Sequence, residues 1–399
     1  MPAAFRTAFW RDAEWLTPQR VKAYGIMLGV ASLGLLAHAY FEAIGTIGSD
    51  FLAFWGAAKA VLAGTPAAAY DLATQERIQS VTQAQGFIAF VNPPPFLFVA
   101  LPFGLFPFAW AWPLWVAATY AVWAAFAIRA FPRYWLLCLI FPGALIAATH
   151  AQNGLLTGDL LVGGVTLLDR RPLLAGALLG ALIVKPHLAL LIPFWLAAGG
   201  RWRAFAGAAG STVGLLLLSW LAFGTDTMLA YPQSWQASAA LLVPDRPDFF
   251  LRMSTVYAQL RVHGTPALAL ASALLIAPLA IFLAMKSWRH FGGDALASGA
   301  LMLAVTGIAT PYLFNYDLPF LIVPTLWLVQ QGRTYGFRPY EKLALVALFL
   351  SPYATRAVAL PLQFNPMPLA LLAMIWLIWT RGQARTAPGP VPTPLPRPA

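Results

Sequence analysis

Long apolar runs alternate with short polar or basic clusters along most of the chain. The runs fall at about 21–42, 93–107, 109–129, 134–149, 154–168, 172–184, 188–199, 204–223, 265–285, 295–309, 318–331, 343–360 and 368–380. Many approach the ~20 apolar residues that a helix needs to cross a bilayer, so the pattern predicts a bundle of membrane helices. Several runs are too short to cross alone. Those that meet near 150 and near 186 read as broken or tilted helices whose tips end inside a cavity, because irregular backbone at membrane depth is tolerated only where protein or water covers it. Segment 93–107 reads as re-entrant, since Pro93, Pro94 and Pro95 start it and Pro102 and Pro107 interrupt it. The expected fold class is an all-α polytopic integral membrane protein with about nine to thirteen transmembrane or re-entrant helices.

Composition agrees with the pattern. Of 399 residues, 60% are hydrophobic and 10% are charged, against about 25% charged in a soluble domain. Such a chain cannot solvate its own surface. The first run follows a polar head (Arg6, Arg11, Asp12, Glu14, Arg20, Lys22) without a small-residue cleavage site, and reads as a retained signal anchor. The net charge is +11, but the basic residues form no single patch, so a nucleic-acid partner is not expected. They sit in short clusters: 6–22, Arg129/Arg133, Arg170/Arg171, Arg201/Arg203, Lys286/Arg289, 333–342 and Arg381/Arg385. The positive-inside rule assigns these clusters to the cytoplasm and the intervening connections to the outer face. The organisation expected is therefore a cytoplasmic segment 1–20, a membrane-embedded domain 21–380 and a disordered Pro-rich cytoplasmic tail 387–399. Within the domain, 44–92 is a helical first outer loop and 224–263 a second large one. Cys138 is the only cysteine, which excludes disulfides within the chain and a cysteine metal cage.

Candidate chemistry gathers on the outer side. Asp50, in Gly48-Ser49-Asp50-Phe51, lies just past the first run. It reads either as a cap for a helix starting near Phe51 or as a general base. The apolar segment 51–64 is expected to lie in the membrane interface, and Tyr70 and Asp71 open a polar helical stretch through Gln85. His150, Gln152 and Asn153 form a polar cluster between two short runs, either a solvated turn or a set of hydrogen-bonding groups for a polyol. Lys185 and His187 flank Pro186 at a depth where the positive-inside rule does not want a lysine. They suit a lipid phosphate, or they snorkel to the interface. The second outer loop adds Trp235, Asp245, Arg246, Asp248, Arg252, Tyr257, Arg261 and His263; an arginine suits phosphate through its bidentate fork. Tyr312, Tyr316 and Asp317 form an aromatic and acidic cluster, with Asp317 read either as an N-cap or as a site residue.

Six stretches carry a resemblance: GSDFLAFWGAAKAVLAGTPAAAYD at 48–71, NPPPFLFVALPFGLFP at 92–107, HAQNGLLTG at 150–158, DRRPLLAGALLGALIVKPHLALLIP at 169–193, STVYAQLRVHG at 254–264 and ATPYLFNYDLPFLIVP at 309–324. In that order and spacing the chain resembles glycosyltransferase family 87, integral membrane enzymes with the C-type glycosyltransferase fold. At His150 it departs from the family pattern, in which many relatives carry Gly before Gln. The resemblance implies inverting transfer of a sugar, hexosyl or pentosyl and mannosyl among the options, from a polyprenyl-phosphate donor to a lipid or glycan acceptor. The site would lie at the outer face of the plasma (inner) membrane, with membrane lipids as further partners. It implies Asp50 as catalytic base and Lys185, His187 and Arg252 at the donor phosphate. Tyr70, Asp71, His150, Gln152, Asn153, Tyr312, Tyr316 and Asp317 would then meet sugar or acceptor. No cofactor is required. A divalent cation held loosely by Asp50 or Asp71 stays open. The alternative is a transporter or flippase of a polar lipid-linked substrate, which would need ionisable groups along a path between both faces.

Overall fold

A computed structural model of the protein describes residues 9–45, 48–84, 86–242 and 247–386. The expected tail 387–399, residues 1–8 with Arg6 of the polar head, and the loop residues Asp245 and Arg246 lie outside them. Among the described residues the regular elements are all helical.

The first apolar run folds as α1 (Pro18–Gly45), 28 residues long, about 42 Å at 1.5 Å per residue. Its apolar side chains, such as Met27, Val30, Leu33 and Phe41, are exposed, as a lipid-facing helix requires. The connection after α1 then folds as α2 (Phe51–Leu62), a 3-10 turn at Pro66–Tyr70, and α3 (Leu72–Gln79). The polar helix expected through Gln85 stops at Gln79, six residues earlier, where the chain turns at Ser80. Segment 93–107 becomes the five-residue α4 (Phe96–Ala100) and a 3-10 turn at Leu101–Leu105. Each piece is too short to cross a bilayer alone. With the rest of the connection this segment covers α2, whose Phe51, Leu52, Phe54, Trp55, Ala57 and Ala58 are all buried. Protein thus covers most of the segment that the sequence reading expects to lie in the membrane interface.

α5 (Phe108–Ala130) is a full-length span, and α6 (Trp135–Leu139) and α7 (Pro142–His150) form a bent pair with an angle of 43°. α8 (Gly154–Thr166), α9 (Pro172–Gly180) and α10 (Ile192–Ala198) are short, with 3-10 turns at Ala181–Val184 and Pro186–Ala189 on either side of Lys185. α11 (Trp202–Ala230) is helical up to Phe223 and breaks at Gly224, φ 79°. α12 (Gln233–Leu242), α13 (Pro247–Leu251) and α14 (Val256–His263) follow. α15 (Pro266–His290), α16 (Ala295–Ala309), a 3-10 segment at Asn315–Leu321, α17 (Ile322–Tyr335), α18 (Glu341–Ala357), α19 (Ala359–Leu362) and α20 (Met367–Thr386) complete the chain. By length and apolar content α1, α5, α11 and α15 each suffice to cross a membrane, and the bent pair makes a fifth if counted as one span. The shorter helices, α8 and α16 above all, are buried inside the bundle. Protein therefore covers their ends, and bilayer length is not required of them.

Small residues let helices approach closely. A Cβ on Gly176 or Gly180 of α9 would strike the carbonyls of Ala204 and Ala208 on α11, the small-residue packing that membrane helices use where burial from water supplies no drive.

Hydrogen bonds then define two ends. At one end Arg201 pairs with Asp169 at 2.9 Å and donates to the Gly293 carbonyl. Arg381 pairs with Glu341 and donates to the Gly336 carbonyl, and Arg338 donates to Thr380. Tyr340 N donates to the Arg11 carbonyl. α8, α16, α17, α18 and α20 all connect this end to the opposite one, where residues 150–153, 185, 252–254, 310–317 and 356–365 meet.

Candidate active site

Aromatic packing positions Asp50. Phe51, directly after it, has its ring 5.6 Å from Trp115 and 6.0 Å from Phe108. Phe54, one turn on, meets Phe96 at 4.6 Å. These rings hold the first turn of α2. Asp50 occupies the cap position of that helix, yet its side chain makes no cap hydrogen bond. Ser49 takes over: its hydroxyl accepts from Phe51 N at 3.3 Å and from Trp112 Nε1 at 3.0 Å. The half-buried Asp50 carboxylate instead accepts from Gln152 Nε2 through Oδ2 at 3.3 Å.

Gln152 lies in the break between α7 and α8. Ala151, with φ 47°, ends α7 in the left-handed conformation that closes many helices. The Gln152 Oε1 accepts from Asn153 N at 2.8 Å, which fixes the amide so that its NH2 faces Asp50. Gly154 is needed where it stands, since a Cβ there would strike the Tyr316 carbonyl. That contact sets the 150–154 turn against the Asn315–Leu321 segment.

The second break, at Lys185, reaches the same place. Lys185 Nζ donates to Asn153 Oδ1 at 2.9 Å, pairs with Asp317, and lies 5.1 Å from the centre of the Tyr316 ring. Both partners are buried, Lys185 to 8% exposure and Asp317 to 0%. Asp317 Oδ2 also accepts from Phe314 N at 3.2 Å. A buried pair of this kind is neutral overall and strongly coupled, because removing either partner strands a charge. His187 sets its ring edge-on to Tyr312 at 5.7 Å, and its Nε2 is buried without a hydrogen-bond partner among the described residues. It lines an apolar cavity of about 510 Å³, together with Leu190, Leu270, Leu274, Pro278 and Pro311.

Arg252 follows α13 directly. An isolated antiparallel bridge joins Met253 to Phe314. Ser254 N donates to the Leu313 carbonyl at 2.8 Å, and Asn315 N to the Arg252 carbonyl at 3.0 Å. The Arg252 guanidinium stays exposed, and its charge reaches both His150 and Tyr316. His150 anchors Nδ1 to the Ile146 carbonyl at 2.9 Å and packs its ring against Tyr316 at 5.4 Å. Tyr312 is pushed up to about 12 by burial and by the negative charges of Asp317 and Asp50, so its hydroxyl stays a donor at neutral pH.

Asp50, His150, Gln152, Asn153, Lys185, His187, Arg252, Tyr312, Tyr316 and Asp317 thus converge. Tyr70 and Asp71, also expected to meet sugar or acceptor, make contacts of their own. Tyr70 is buried and donates its hydroxyl to the Asn92 carbonyl at 2.9 Å. Asn92 in turn donates to the Val184 carbonyl at 3.2 Å, so this pair ties the 66–92 segment to the 3-10 turn that precedes Lys185. Asp71 is exposed and caps α3 by accepting from Thr74 N at 2.7 Å. Hydrogen bonding to Thr74 holds its carboxyl below the usual range. Among the described residues no three His, Cys, Asp or Glu side chains converge as metal ligands.

Sequence reasoning passed over Arg356, in the last turn of α18. Its charge reaches His150 and Arg252. The signal was present: a lone arginine within an apolar run is a functional-site candidate, but the run 343–360 was read as one uninterrupted span. Asn92 and Asn365, which hold site backbone in place, carry no comparable signal.

The family model for glycosyltransferase family 87 matches residues 90–314, more than half of the chain. The matched region contains the 150–153 turn, Lys185, His187, Arg252 and Tyr312. No curated protein and no solved structure matches. With a match of that extent over a helical membrane bundle, the chain belongs to glycosyltransferase family 87.

Proposed function

We propose that this glycosyltransferase moves a hexosyl or pentosyl unit from a polyprenyl-phosphate sugar to an acceptor hydroxyl, with inversion, at the outer face of the plasma membrane. The observation that carries the reading is the state of Asp50. Its carboxylate stands at a helix cap but is not used as one, and Gln152 orients it within a cluster of cations and tyrosines.

In the proposed step Asp50 accepts the proton of the acceptor hydroxyl as that oxygen attacks the anomeric carbon. The bond from that carbon to the phosphate oxygen breaks, and the lipid phosphate leaves with the electron pair. One base and one displacement invert the centre. Arg252, uncommitted and exposed, supports the charge that develops on the phosphate. Tyr312 and Tyr316 offer hydroxyls and ring faces to a sugar. The apolar cavity beside His187 suits the first isoprene units of a prenyl chain. The basic clusters at the opposite end support an outward-facing site, by the positive-inside rule. No metal is needed for the leaving group, since a lipid phosphate carries less charge than a nucleotide diphosphate; assays with and without a chelator test this.

The flippase reading would need a path of ionisable groups between the ends. Asp159 in the middle of α8, 3% exposed, is the one observation that favours it. The purified protein is to be given radiolabelled polyprenyl-phosphate hexose and pentose donors with lipid and glycan acceptors. A new glycosidic product is expected from the wild type, and Asp50→Asn should lower its rate by about 10²–10⁴-fold while keeping the elution profile. Undiminished turnover in Asp50→Asn would remove Asp50 as base. Lipid movement in proteoliposomes without any new glycosidic bond would favour the flippase.

A further inference from the structure

Two guanidiniums at the site have no partner among the described residues. Arg252 and Arg356 are both exposed, and among the described residues neither side chain forms a hydrogen bond or an ion pair. At the other end three arginines are engaged. Arg201 and Arg381 pair with acids, and Arg338 donates to Thr380.

The backbone around Arg252 is held on three sides. Asn365 Nδ2 donates to the carbonyls of Leu251 and Met253, at 2.9 and 3.1 Å, and Asn315 N takes the carbonyl of Arg252 itself. Asn365 follows α19, and Arg356 precedes it, so the turn that clamps Arg252 is the one that delivers Arg356. The charges of the two side chains repel one another, and both reach His150, as does the charge of Asp50. Holding two like charges together without a counter-ion is unfavourable, and a shared anion relieves it. Lys185 is in the opposite situation. It is buried, paired with Asp317 and bonded to Asn153, so its charge is already neutralised and two of its three N–H donors are engaged. Asn315, 1% exposed, has both amide atoms unpaired among the described residues, next to the backbone bond that fixes Arg252.

We infer that Arg252 and Arg356 together form the seat of the donor's phosphate, and that Lys185 is a positioning residue for Asn153 and Tyr316 that does not touch the phosphate. This rests on the lipid-phosphate reading above. Two guanidiniums can each present a fork of N–H donors to phosphate oxygens, which an ammonium cannot. The second outer loop and α18 then close on the phosphate from two sides. An exposed arginine on a membrane helix can also snorkel to the headgroups of bulk lipid, and the experiment separates the two sources.

Binding of farnesyl monophosphate and of farnesol to the full-length protein in detergent is to be compared. The wild type should prefer the phosphate. Arg356→Gln should lower that preference about tenfold, ~1.4 kcal/mol, and Arg252→Gln by a similar factor, so that misfolding of one variant leaves the other to decide. Arg356→Lys should recover part of the loss. Unchanged preference in either folded Gln variant overturns the seat while leaving the lipid-phosphate reading intact. No preference in the wild type overturns both. Displacement of the probe by an equal concentration of phosphatidylglycerol assigns the arginines to bulk headgroups and overturns the seat.

Discussion

At the scale of single residues, the site depends on which polar groups are already engaged. Ser49 serves the backbone and Trp112, so the Asp50 carboxylate is left for Gln152 and for a substrate. Lys185 and Asp317 engage each other in the buried interior. Lys185→Ala should therefore act first on stability, by about 3–5 kcal/mol, because it strands a buried carboxylate. The double change Lys185→Met with Asp317→Leu should recover most of that loss. Thermal unfolding in detergent checks both, and a double variant no more stable than Lys185→Ala would refute the pairing as the cause. Asp50, Lys185, His187 and Asp317 were legible in the sequence because ionisable side chains stand out in an apolar chain. Their partners were not, since nothing local tells a free carboxylate from a paired one.

At the scale of elements, two helix breaks meet. The α7–α8 turn and the Lys185 break are joined by the bond from Lys185 to Asn153 and set against the 315–321 segment by the bare face of Gly154. Gly154→Ala should force the Tyr316 backbone away, with a cost of about 1–3 kcal/mol. The rate of transfer should fall as well, since the same turn carries Gln152 to Asp50. A variant with wild-type thermal stability and wild-type rate would show that the close approach is unimportant. Prolines, glycines and short apolar runs made these breaks readable along the chain. The enclosure of α2 was not readable: residues 66–105 fold over it, and an apolar segment has the same composition whether lipid or protein covers it. The end of α3 at Gln79 was missed because polar residues beyond a helix resemble those within it.

Across the whole molecule, charge separates into two ends joined by α8, α16, α17, α18 and α20. If the site end faces outward, a cysteine at an exposed position of the first outer loop should react with an impermeant maleimide in intact cells. In a Cys138→Ala background, Ala73→Cys should label without permeabilisation and Arg170→Cys only after it. The reverse pattern would invert the topology. Both test positions are exposed, so access rather than burial decides the labelling.

Some properties belong to the sequence alone. With so few charges the chain has no route to a water-exposed surface, so membrane residence and helical spans follow from the cost of leaving backbone groups unpaired in lipid. The sorting of basic clusters from polar motifs is likewise written along the chain, because each short connection keeps its own charge. The chemistry at the site was decided only in three dimensions. Gln152 meets Asp50 across 102 residues and Lys185 meets Asp317 across 132. Whether a cation is neutralised or left for a substrate depends on which distant side chain folding brings into its low-dielectric surroundings. That is why Lys185 looked available and is paired, and why Arg356 looked like part of a span and stands open at the site.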